Sequence, residues 1–94
     1  MKIQNKVLEE IFDILIGIME GLKHIKKSTG MDTVDFRYRI VKLMHSMFLY
    51  DPERRMELVD IDEDFCNALE FSEMSKNKKR EVRETVCDFA ALIC

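Results

Sequence analysis

Residues 8–25 read LEEIFDILIGIMEGLKHI. Leu8, Ile11, Leu15, Ile18, Leu22 and Ile25 alternate spacings of three and four, the period of a helix that buries a heptad seam. Phe12, Ile14, Ile16 and Met19 widen the apolar face, so this helix wants partners on more than one side. Glu9, Glu10, Asp13 and Glu20 come early and Lys23, Lys26 and Lys27 late, the order a helix dipole favours. Gly30 is a natural stop. The pattern predicts a first helix near residues 3–28. Its Leu8, Ile11, Leu15, Ile18 and Leu22 are expected to face a second copy of the chain, making a homodimer a candidate state.

Gly17 and Gly21 interrupt this helix at GxxxG spacing. Each costs about 1 kcal/mol of helix propensity relative to Ala. Two such costs point to a close crossing, a bend or a binding groove.

Downstream, Asp32 or Thr33 can cap a second helix. Phe36, Ile40, Leu43, Met44, Met47 and Tyr50 give it an apolar side, flanked by Tyr38, Val41 and Phe48. Asp51-Pro52 reads as an N-cap with proline in the first turn, opening a short helix through about Leu58. Asp60 and Glu63 have capping-box spacing and predict a third main helix presenting Ile61, Phe65 and Leu69. Ser75–Lys79 reads as a polar connection. Val82, Val86, Phe89, Ala90 and Ile93 line one side of the last helix. No stretch alternates apolar and polar residues long enough for a strand. The expected fold is all-α: a compact single domain over 1–94, with four main helices and one short one, short loops and antiparallel neighbours.

The 94 residues carry a net charge of -3, too acidic for non-specific DNA coating. The sum hides an asymmetry. Asp51–Met74 holds nine acidic residues, whereas Lys76–Arg83 holds five basic ones. Cys66, Cys87 and Cys94 are an odd set without a close pair, unlike a disulfide framework. The apolar stretch after Lys2 and Lys6 is broken by Glu9, Glu10 and Asp13, unlike a signal peptide or a membrane span. The expected compartment is a reducing cytoplasm, with no membrane partner.

The residues carry no motif that names an activity. His24, His45, Cys66, Cys87 and Cys94 form no chelating pair, so no metal or other cofactor is expected; Cys66 and Cys87 read as small core residues. Asp60, Asp62 and Asp64 resemble a calcium loop, but Phe65 and Phe71 stand where it needs Gly and Glu. The trio is better read as the acidic first turn of the third helix. Glu70 with Glu73 and Glu81 with Glu84 share the ExxE spacing of small all-α nucleotide pyrophosphohydrolases. The resemblance is confined to spacing, and leaves a metal-dependent nucleotide hydrolase as the minor exception to a non-enzymatic reading. No nucleophile motif or glycine-rich phosphate loop is present.

Lys76, Lys78, Lys79, Arg80 and Arg83 place positive charge where the last helix begins, against its dipole. Broken local rules tend to mark function or strain; here they suit an acidic protein surface or a phosphate. Arg37, Arg39 and Lys42 form a second basic group around Tyr38. The favoured expectation is a small interaction protein, a regulator or inhibitor that binds a larger protein through Met44, Met47, Phe48 and Tyr50. Its likeness to small phage and plasmid accessory proteins is one of size and architecture alone. The alternative is nucleic-acid or nucleotide binding through Arg37, Arg39, Lys42, Lys76, Lys78, Lys79, Arg80 and Arg83.

Overall fold

The computed structural model describes residues 5–50 and 52–93. It is an all-α bundle of four helices: α1 (Asn5–Thr29), α2 (Val34–Phe48), α3 (Arg55–Glu70) and α4 (Lys76–Ile93), with a short 3-10 turn at Pro52–Arg54. The expected N-cap Asp51, Cys94 and the side chain of Ile93 lie outside the described residues.

Helix α1 stops where its sequence says it should. Gly30 adopts a φ of 73°, and its amide donates to the Lys26 carbonyl over 2.9 Å. Glycine reaches this left-handed conformation without the penalty a Cβ brings. The turn is then tied down by Asp32. One carboxylate oxygen accepts the Val34 amide at 3.0 Å and the other the Glu73 amide at 3.1 Å. A single side chain thus satisfies the first amide of α2, whose N-cap Thr33 makes no side-chain cap bond, and clamps the α1–α2 turn to the α3–α4 turn.

Helix α2 is the centre of the bundle and packs against α1, α3 and α4. This explains the fate of its methionines. Met44 and Met47 join Val34 and Val41 in the core, with Leu8, Phe12, Leu15 and Met19 of α1, Leu58, Phe65 and Leu69 of α3, and Val82 and Val86 of α4. Three neighbours thus claim the methionine side of α2, while Phe36 and Leu43 stay exposed.

Two boundaries differ from the sequence expectation. Asp60 does not begin a helix: α3 runs unbroken from Arg55. The trio Asp60, Asp62 and Asp64 therefore lies in mid-helix. Asp62 turns inward to receive His45 Nε2 at 2.9 Å, and Asp64 receives Arg37 at 2.7 Å. Capping-box spacing alone could not reveal that the carboxylates had buried partners on another helix. The Ser75–Lys79 stretch is likewise helical from Lys76, because Ser75 Oγ accepts the Lys78 amide at 3.2 Å, an N-cap bond.

Candidate interaction surface

The residues expected to meet a partner divide sharply. Met44 is completely buried and Met47 nearly so. Phe48 is half-buried against the core, and only Tyr50 is exposed. The α2 surface expected from Met44, Met47 and Phe48 is therefore corrected: those side chains fill the bundle.

The expected oligomer seam also divides. Leu8 and Leu15 belong to the core, Leu22 is half-buried, and Ile11 and Ile18 face out. The reason lies in the width of the α1 apolar face. It contains two stripes, and the bundle takes Leu8, Phe12, Leu15 and Met19.

The basic groups fare differently. Arg37 is buried, its guanidinium spent on Asp64, which removes it as a phosphate contact. Arg39 pairs with Asp35 at 3.3 Å, and Lys42 sits over the Tyr38 ring at 5.3 Å. Arg37, Arg39 and Lys42 thus do not form one patch. On α4, Arg83 pairs with Glu70 and Lys78 approaches Glu81 at 3.9 Å. Lys79 Nζ donates to the Glu70 carbonyl over 2.9 Å.

These pairings also occupy Glu70 and Glu81 of the ExxE motifs. Among the described residues no group of three or more His, Cys, Asp or Glu side chains could hold a metal ion. Cys87 is exposed rather than a core residue, and Cys66 is half-buried. Burial, reinforced by the Asp62 charge, pushes the Cys66 thiol up, away from the reactive thiolate. No described helix is long and apolar enough to cross a membrane.

One end of the bundle combines what the sequence kept apart. The Asp32 clamp brings the α1–α2 turn beside the α3–α4 turn. Phe71, at the end of α3, is 86% exposed. Met31 in the neighbouring turn and Phe36 in the first two turns of α2 are also exposed. A cleft of about 120 Å³ opens there between Lys26, Asp32, Thr33, Val34, Arg37, Ala68, Phe71 and Ser72. The basic start of α4 follows directly. Lys26 and Lys79 both lie near enough to favour the Asp32 carboxylate. Phe71 thus lines the cleft together with Lys26, and Lys79 lies near the Asp32 clamp beside it.

By helical spacing Phe36 belongs to the apolar side of α2, yet it is 59% exposed; Phe71 and Met31 fall outside every helical stripe. The signal for Phe71 was its place: a large apolar residue just past Leu69, immediately before the polar Ser72–Ser75 turn. Compared with protein-family models, curated proteins and solved structures, the chain finds no match.

Proposed function

We propose that the chain is a non-catalytic protein–protein interaction module that binds an acidic, apolar segment of a larger protein. Its recognition site is the end of the bundle where Phe71 lines the cleft with Lys26, next to the exposed Met31 turn and the basic start of α4 with Lys79. The observation that carries the reading is Phe71, a phenylalanine left 86% exposed beside a basic helix start. Such exposure wastes apolar surface in an isolated chain and becomes favourable when a partner covers it. The lysines then supply orientation and association rate, and an acidic partner relieves the unfavourable charge at the α4 N-terminus.

Affinity capture from the native host tests this. Phe71→Ser and Lys79→Glu are expected to weaken retention of the captured protein at least about tenfold, the loss of one interface anchor. Retention unchanged in both variants would overturn the site.

A further inference from the structure

We infer that the outer face of α1 pairs, antiparallel, with α1 of a second copy of the chain. Val7, Ile11, Ile14, Ile18 and Ile25 are between 39% and 62% exposed. Their spacings of four, three, four and seven continue one heptad seam through Gly21. This seam is distinct from the one the bundle buries. The glycines point the same way: a Cβ added at Gly17 or Gly21 would meet nothing within 4 Å. Among the described residues, therefore, packing does not require either glycine and no close crossing uses them. A second helix backbone approaching from outside would.

The pattern is self-complementary in one orientation. In an antiparallel pair, Ile14 of one copy meets Ile18 of the other, Val7 meets Ile25, and Ile11 faces the space left by Gly21. Gly17 then lies beside Gly17 of the partner copy at the two-fold axis. The flanking charges agree. Glu10 comes opposite His24 of the partner copy, one turn from its Lys27, and makes no ion pair among the described residues. A parallel pair would instead set Glu10 toward Leu15 of the other copy, which the bundle buries, and leave its charge without a partner. An isologous contact of this kind closes on itself as a dimer.

Sedimentation equilibrium of the whole chain at roughly 100 µM, a concentration that populates complexes of micromolar Kd, is the test. The expected mass is twice the 11.2 kDa of one chain. Ile18→Glu, at an exposed position, is expected to leave a folded monomer, as judged by an unchanged helical circular dichroism spectrum. His24→Glu is expected to weaken the dimer severalfold, and Glu10→Lys combined with His24→Glu to restore it. A monomeric native chain, leaving the stripe to another partner or none, would overturn the inference; so would a dimer that survives Ile18→Glu. A double variant no tighter than His24→Glu alone would show that residues 10 and 24 do not face each other, and would overturn the orientation. The Phe71 site is read by partner capture, so either proposal can fail without the other.

Discussion

Arg37 Nη2 and Asp64 Oδ2 stand 2.7 Å apart across the α2–α3 contact, and they are unequally buried. The Arg37 side chain is 5% exposed and that of Asp64 44%. Lys23 also reaches Asp64 at 3.4 Å, while the buried Arg37 Nε has no partner among the described residues. The two halves of the pair should therefore respond differently to removal. Asp64→Ala strands a buried guanidinium, and about 3 kcal/mol of stability should be lost, the low end for breaking a buried pair. Arg37→Met keeps an unbranched chain in the core and leaves Asp64 to water and Lys23; about 1 kcal/mol should be lost. Urea unfolding of both variants checks the order. Equal losses would mean the burial difference has no energetic consequence.

His45 and Asp62 form a second inward pair, with His45 also stacked on Phe89 at a ring separation of 5.3 Å. Among the described residues His45 Nδ1 has no partner, and Asp62 provides the hydrogen bond on the other ring nitrogen. Asp62→Ala should cost about 2 kcal/mol, the penalty of an unsatisfied buried polar group. Replacing both residues by leucine should cost less than the two single leucine substitutions together, because neither orphan remains. A double-mutant cycle measures the difference; strict additivity would contradict the coupling.

These pairs show where the sequence was legible and where it was not. The four helices could be read because apolar residues at spacings of three and four, Gly30 and Pro52 act locally. Leu8, Phe12, Leu15 and Met19 could not be separated from Val7, Ile11, Ile14 and Ile18 by period alone, since both sets keep helical spacing. Only the placement of the other helices chooses between them. The acidic trio on α3 misled for a related reason. Asp62 and Asp64 act through His45 and Arg37, separations along the chain of 17 and 27 residues. The basic start of α4 was the useful anomaly, because it broke a local rule and lies at the end of the bundle that also exposes Phe71.

The Asp32 clamp carries a pH signature. Burial acts to raise its carboxyl, but the Val34 and Glu73 amides, aided by Lys26 and Lys79, hold it below its usual 3.8. A carboxylate depressed on folding contributes stability that is full above the unfolded value, and this is lost as pH falls through the lower folded one. Stability should therefore decline below about pH 4 more steeply in the native chain than in Asp32→Asn. At pH 7 the variant should be the less stable, by roughly 1 kcal/mol for one lost hydrogen bond, because an amide keeps one acceptor oxygen where two backbone amides need one each. Thermal melts from pH 2 to 7 provide the comparison, and parallel curves would contradict the role assigned to Asp32.

Gly17 gives a cleaner stability prediction. In the Ile18→Glu background, where the outer stripe is spoiled, Gly17→Ala should raise stability by about 1 kcal/mol, the difference in helix propensity. No neighbour obstructs the added methyl. Chemical denaturation of the two chains checks this. A destabilised double variant would show that Gly17 serves a contact inside the single chain.

The central claim is that the Phe71 end of the bundle is where a larger protein docks. A photoreactive phenylalanine analogue placed at Phe71, with a control at exposed Leu92 on the last turn of α4, reads that contact directly in cells of the native host. The account expects one dominant cross-linked product, formed from position 71, absent from position 92, and lost when Lys79→Glu is added. Equal cross-linking from both positions, or none from position 71, would contradict it.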